Sequence, residues 1–540
     1  VSRIGVLLVE RMRRDALQLT LWVVGTAALA GAAVAGVAAN FDTAEERTSL
    51  VATALANPVI LLFRGLPSGT GQGAFITFLI LPFLAMLSAF TTSFLAVRHT
   101  RAAEESGLAE LTEATPAGRV LPTVATVVHG VIASLLLGAA TTLALVGCGL
   151  EPGGSLLVGA SCASIALVFL GVGLAAAQFL RTSRAANSVS VTALLVTFFA
   201  AGLGNALGTP SDDLQRMQSS PLTWFSPFGW AENTRAFDEN LALPLLWCML
   251  LAAVLIAVSF ALLAQRDTGS SLVAERPGRP AARAALASTT ALVARLSWPA
   301  TVAWMIGGFA SGALATALAP AVSSITAQNP AIAQVLAQIS AGGEDLARGL
   351  VVVFFTMIGI LAACAGVQTV ARARQEESHG TAELVRALPT GRVRWLADFV
   401  VVGFAAIVLT VFAAVVGATV GVGMQGGDGA LIVDAVVVGA GQAVAAGVFV
   451  GLTALVFTVL PRATIAVGWT LVLLAAVLGL FGPVLGLPDW AVDLAPFSVT
   501  PVPTDAGVDQ RGLIWLTIAI VASVAASAVL MRRRELASAG

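Results

Sequence analysis

The sequence predicts an all-α polytopic membrane protein, with twelve transmembrane helices arranged as two pseudo-equivalent halves of six. Three observations carry this. Of 540 residues, 57% are hydrophobic and only 11% charged, where soluble domains carry roughly 25% charged residues. Apolar runs of about 20 residues, the length that crosses a bilayer, recur along the whole chain. A polar segment between the second and third runs returns 273 positions later, between the eighth and ninth, with ten of nineteen residues identical.

In chain order, residues 1–18 alternate apolar positions with Arg3, Arg11, Arg13 and Arg14. They are expected to form an amphipathic connecting helix on the membrane surface. The first half, 19–265, holds runs near 19–40, 71–97, 120–147, 154–180, 186–207 and 241–265. The first run sits where a signal peptide would, but its length and the spans after it read as a retained span. Residues 266–297 form a cytoplasmic linker whose later part, 283–296, is expected to be a second connecting helix. The second half, 298–531, holds runs near 298–320, 349–371, 396–422, 431–459, 464–487 and 513–531, and 532–540 is a cytoplasmic tail. An even number of spans separates the two copies of the polar segment, so the halves repeat in parallel.

Arginine placement predicts the orientation. With the N-terminus inside, only Arg47, Arg64, Arg216, Arg235, Arg348 and Arg511 fall in outer loops. The positive-inside rule then puts both termini and both polar segments in the cytoplasm. A net charge of −1 argues against nucleic acid as a partner. Every basic residue is Arg. Without Lys there is no phosphate-cradling P-loop and no Schiff-base chemistry, so ATP, if it drives this protein, binds another chain. Cys148, Cys162, Cys248 and Cys364 lie scattered in apolar runs; they are expected to be packing residues, with no metal site.

The repeated segments are 101–119 and 374–392. Each is expected to be one short helix stopped by Pro116 or Pro389. Arg101, Glu104, Gly107, Glu110 and Arg119 correspond to Arg374, Glu377, Gly380, Glu383 and Arg392. The glycines would let another backbone approach, and the carboxylates would pair with basic groups on a soluble motor. A solvated loop with local pairs such as Arg101–Glu105 is the plainer reading. Identity this strong between halves that have otherwise diverged favours docking.

Two outer loops, 208–240 and 488–512, share a Pro-Phe core. Trp224, Trp230 and Trp490 suit headgroup anchoring; the sharper reading makes Trp224, Phe228, Trp230 and Phe497 an outer gate. The span centres lack Asp, Glu and Arg, which argues against proton or sodium coupling. His129, in the third span, is the ionisable exception, read as a packed side chain or as a proton relay.

With these residues in place, the sequence resembles the permease subunit of type-2 ATP-binding-cassette (ABC) exporters, in particular the tetronasin and polyketide-antibiotic exporter permeases of actinobacteria. The resemblance rests on the R-x-x-E-x-x-G-x-x-E-L cores at 101–111 and 374–384, and on SPFGWAENTRAF at 226–237. LAPFSVTPVP at 494–503, RDTGSSLVAERPGRPA at 266–281 and RRREL at 532–536 add to it. It implies the type-2 exporter permease fold, with the repeated segments as coupling helices. It implies no catalytic residue and no cofactor in this chain, and two copies of a soluble ABC ATPase carrying ATP and Mg. It also implies ATP-driven export of bulky amphiphilic compounds, antibiotics and other drugs among them.

By the same analogy the substrate pathway runs between the halves, lined by spans 2, 5, 8 and 11. Candidates are Phe83 and Phe90 in span 2, and Phe198, Phe199 and Asn205 in span 5. Phe354, Phe355 and Met357 in span 8 and Trp469 in span 11 complete the set; aromatics and Met give adaptable apolar contacts. Glu105 and Ser106 face Ser378 and His379 across the repeat, so identical ATPases would meet unlike partners. The alternatives are a proton-coupled secondary efflux carrier, whose motif between spans 2 and 3 is a basic turn, and a membrane scaffold that recruits a soluble partner.

Overall fold

The computed structural model describes residues 3–56, 58–114, 118–267, 272, 286–317, 346–425, 429–481, 488–501, 503–504, 507–508 and 511–534. It divides into two compact units, Val1–Pro277 and Gly278–Gly540. Twelve helices among the described residues are long and apolar enough to cross a membrane, six in each unit.

In the first unit these are α1 (Arg3–Asn40), α4 (Gln72–Arg98), α7 (Val120–Gly147), α8 (Pro152–Phe179), α9 (Ser183–Ala206) and α11 (Pro244–Gln265). Shorter helices lie between them: α2 (Ala44–Ala56), α3 (Pro58–Phe63), α5 (Arg101–Glu105), α6 (Leu108–Glu113) and α10 (Pro227–Glu232). In the second unit the long helices are α12 (Thr289–Ala317), α13 (Leu346–Ser378), α15 (Arg392–Gln425), α16 (Ala430–Val459), α17 (Thr464–Phe481) and α19 (Arg511–Arg533). The short α14 (Thr381–Arg386) and α18 (Asp489–Val492) accompany them. Two 3-10 helices, Pro221–Phe225 and Pro461–Ala463, and two two-stranded antiparallel ribbons complete the description: β1 (Thr209–Pro210) with β2 (Met217–Gln218), and β3 (Pro503–Thr504) with β4 (Gly507–Val508).

The same packing recurs in both units. The fourth span, α8 or α16, touches the second, third, fifth and sixth spans of its own unit, and the first span lies on the second and third. This makes the fourth span the hub, and in each unit its most apolar stretch is the most buried. Its composition explains why. α8 carries Gly, Ala and Ser at close intervals, and small residues let membrane helices meet backbone to backbone. Where α8 crosses α7, a Cβ on Gly159 would stand 2.4 Å from the Gly138 carbonyl oxygen, so no larger residue fits.

Among the described residues, neither expected connecting helix is separate from its span. Residues 3–40 form one unbroken helix, because no proline interrupts the ladder between surface and span. In the second unit the helix runs straight from Thr289 into the span; residues 268–271 and 273–285 of the expected linker and 535–540 of the tail lie outside the described residues.

Candidate functional site

The repeated segment is not a single helix. In the first unit α5 ends, Gly107 takes φ +74°, and α6 begins. In the second, α13 continues through Ser378, Gly380 takes φ +75°, and α14 begins. Left-handed backbone is costly for any residue with a Cβ and routine for glycine. Nothing lies within 4 Å of the Cβ position at either glycine, so both are explained by backbone conformation. The segment is therefore an elbow, with a proximal arm, a glycine corner and a distal arm.

The carboxylates of Glu104 and Glu377 are largely shielded from water. Glu377 is 4% exposed. Its oxygens accept two hydrogen bonds from Arg534 Nη2, both 2.7 Å, and a third from Arg374 Nη1 at 3.5 Å. Glu104 is held the same way: Arg266 donates through Nη1 at 2.9 Å and Nη2 at 2.5 Å, and Arg101 Nη1 at 2.5 Å. The last conserved arginine of each copy closes the figure. Arg392 Nη1 donates to the Arg534 carbonyl at 2.7 Å, and Arg119 donates to the Arg266 carbonyl. Arg266 and Arg534 stand just beyond α11 and α19, the last span of each unit. Each elbow is thus clasped to the end of its own sixth span.

Both carboxylates, expected to pair with a partner, are engaged within the chain in this structure. Arg101, at 1% exposed, is an internal residue too, donating Nε to the Leu180 carbonyl at 2.6 Å. What faces outward is the distal arm. Glu110 and Glu383 are exposed, and so are the leucines that follow, Leu111 at 70% and Leu384 at 75%. Among the first-unit residues, Glu105 accepts from the Ser183 backbone N–H at 3.0 Å; its counterpart Ser378 donates only to its own helix, at the Gln375 carbonyl.

The outer candidates behave differently. Phe228 is buried against Phe198, ring centroids 5.8 Å apart, and against Phe169 of α8 at 6.1 Å. Phe497 is buried and stacks on Phe449 of α16 at 5.2 Å. In both units a loop phenylalanine is therefore seated on the hub helix. Trp224 stays exposed at 44%, and its carbonyl accepts from Trp230 Nε1 at 2.7 Å. Asn205 is fully buried and donates Nδ2 to Glu232 at 2.6 Å. Burial pushes the Glu232 carboxyl up to about 8, against the opposing pull of that hydrogen bond. Phe199 packs edge-on against Phe63 at 5.8 Å. Arg64 lies 5.6 Å over the Phe83 ring, and Phe90 pairs with Phe94 at 5.6 Å. Phe355 is buried, Phe354 half-buried, and Met357 and Trp469 exposed. His129 is buried beside Asp15. The four cysteines are free thiols.

The clasp arginines were missed as site residues, although their signal was present. Arg266 opens one quoted motif and Arg534 lies within another, each just past an apolar run.

Residues 286–532 match the family model described as multidrug efflux system permease Rv1217c, C-terminal domain. Over 526 residues, 97% of this chain and 93% of the relative, the sequence is 28% identical to the multidrug efflux system permease protein Rv1217c of Mycobacterium tuberculosis (strain ATCC 25618 / H37Rv). Both comparisons find a multidrug efflux permease. The resemblance to exporter permeases read from the sequence is borne out to that extent, and with it the all-α, multi-pass membrane fold.

Proposed function

We propose that this chain is the permease of an ATP-driven efflux pump that exports bulky amphiphilic compounds, antibiotics included, across the plasma membrane. It is a transport subunit without a nucleotide site, and it works with two copies of a soluble ABC ATPase that carry ATP and Mg. The observation that carries this reading is the twice-built elbow, in which a buried clasp holds an exposed Glu-Leu tip to the last span of each half. A loop meant only for solvent needs no such fastening. The arginine distribution supports cytoplasmic termini and elbows, and the similarity to multidrug efflux permeases supports the cargo class.

In this mechanism closure of the ATPase dimer displaces the tips at Glu110–Leu111 and Glu383–Leu384. The clasps at Glu104 and Glu377 pass the displacement to α11 and α19, and the halves change access from inside to outside. Phe83, Phe90, Phe198, Phe199, Asn205, Phe354, Phe355, Met357 and Trp469 remain our candidates for the drug path. Trp224, Phe228, Trp230 and Phe497 remain those for the outer gate.

The test uses the chain co-purified and reconstituted with its ATPase, comparing wild type with the double variant Leu111→Arg, Leu384→Arg. Both positions are exposed, so folding is retained. We expect loss of ATPase binding and of drug-stimulated hydrolysis. Unchanged binding and coupling would reject the elbow as transmission and return a proton-coupled carrier or a scaffold as the reading to pursue.

A further inference from the structure

The chain has three histidines, and two of them meet in the first unit at one buried carboxylate. Asp15 comes from α1, His99 caps the end of α4, and His129 comes from α7; they are 3%, 7% and 0% exposed. His99 Nε2 lies 2.5 Å from Asp15 Oδ2, and His129 Nδ1 lies 4.0 Å from the same oxygen. The rings stand 5.5 Å apart, centroid to centroid, and one ligand atom from each of the three residues falls within 4.8 Å of the others.

Neither ring nitrogen of His129 has a hydrogen-bond partner among the described residues. A buried polar atom left unpaired costs about 1–3 kcal/mol, and a side chain with both nitrogens unpaired calls for an occupant. We propose that Asp15, His99 and His129 form a binding site for a divalent transition metal ion of the Zn²⁺ class, which ties α1, α4 and α7 together. Two imidazoles and one carboxylate are ligands this class accepts, at about 2.0–2.2 Å. Contraction of the three groups around one ion would give the orphaned imidazole a partner.

The surroundings fit. Arg98 Nη1 donates to Asp15 Oδ1 at 2.8 Å, which leaves Oδ2 for the histidine side and fixes the carboxylate as an outer-shell partner does. Arg11, the other nearby cation, is committed to the Pro122 carbonyl at 2.7 Å and Thr126 Oγ1 at 2.6 Å. A cavity of about 450 Å³, lined by Arg11, Arg98, His99 and Glu104 among others, reaches the His99 side and provides entry. The fold itself does not require the cluster. The register of the repeat places Arg372 and Val402 where the first unit has His99 and His129. There Arg372 ties its helix to the first span directly, donating to the Leu296 carbonyl at 2.7 Å.

The experiment uses the full chain, purified with a tag that contains no histidine and stripped with chelator, with Zn²⁺ as the binding probe and Co²⁺ as the spectroscopic one. We expect one tightly held ion per chain, a Co²⁺ ligand-field spectrum of an N/O site, and a Zn²⁺-dependent rise in melting temperature. His99→Ala and His129→Gln should abolish all three, and Arg98→Gln should weaken affinity about 10–100-fold. His379→Ala and Cys148→Ser should change nothing. Absence of a retained ion and of any Zn²⁺-dependent rise in wild type overturns the proposal without reference to any variant. So does equal retention by His99→Ala and His129→Gln, which assigns the ion elsewhere. Histidine titration left unchanged by excess Zn²⁺ would also overturn it and make the cluster a proton site.

Discussion

The two elbows share their charged clasp and differ in what supports it. In the first copy Arg266 also donates Nε to Gln178 Oε1 at 3.1 Å, a polar brace at the end of α8. In the second, Arg534 lies 4.2 Å over the face of Phe457, near the end of α16. Both braces sit at the same place, the far end of the hub helix, yet one is an amide and the other an aromatic ring. The carboxylate between two guanidiniums is the part that stayed fixed while its support changed. That separates the requirement from its implementation: each half needs its elbow joined to its last span, and a neighbouring amide or ring serves equally well to seat the arginine.

The largest effect should come from breaking the shared part. Glu377→Ala leaves Arg534 without its carboxylate and should destabilise the chain by about 3–5 kcal/mol, with Glu104→Ala close behind, as measured by thermal unfolding in detergent. A mild effect at one copy and a severe one at the other would break the equivalence drawn here.

The ends of the units away from the elbows sharpen the contrast. The first buries Glu232 against Asn205. The second buries the neutral Gln442, which donates to Thr500 Oγ1 at 3.0 Å. With Glu232 pushed up to about 8 and an unfolded carboxyl near 4.3, the folded chain keeps a proton that the unfolded chain has lost. Stability should therefore fall as pH rises from about 4 to about 8. Glu232→Gln should flatten that slope, and an unaltered slope would remove Glu232 as its source.

Smaller effects follow at the corners. Gly107→Ala and Gly380→Ala should each cost about 1–2 kcal/mol, alike in both copies, because neither site has a neighbour within 4 Å to clash. Gln178→Leu and Phe457→Leu should each cost about 1 kcal/mol and should be additive, one acting on each unit. Leu111→Ala should move stability by less than about 0.5 kcal/mol, which makes it a clean probe of partner binding.

Much of this was legible in the sequence. Hydropathy located most spans to within a few residues; the exceptions are α13, which runs on to Ser378, and the two connecting helices, where polarity marks a surface stretch but the helix continues, in the second unit through Pro299. The repeat identified the elbows. It could not tell a carboxylate offered to a partner from one consumed internally, because Glu104 and Arg266 are 162 positions apart and only the packing of α11 brings them together. Spacing offers Gly107 as a close-approach glycine; the positive φ that it also adopts is a feature spacing does not encode. His129 stands out in the sequence as an ionisable residue within a span, but its meeting with Asp15 and His99 is hidden for the same reason as the clasp: three helices contribute one residue each, and no interval along the chain links them.

Because Arg266 precedes the junction at Pro277 and Arg534 follows the last span, each half contains every residue of its own fastening. The heritable module is therefore the six-span half with the arginine that trails it. A gene cut between those limits would yield two polypeptides with complete elbows. A chain shortened to residue 533 would keep all its spans and lose the fastening of its second half.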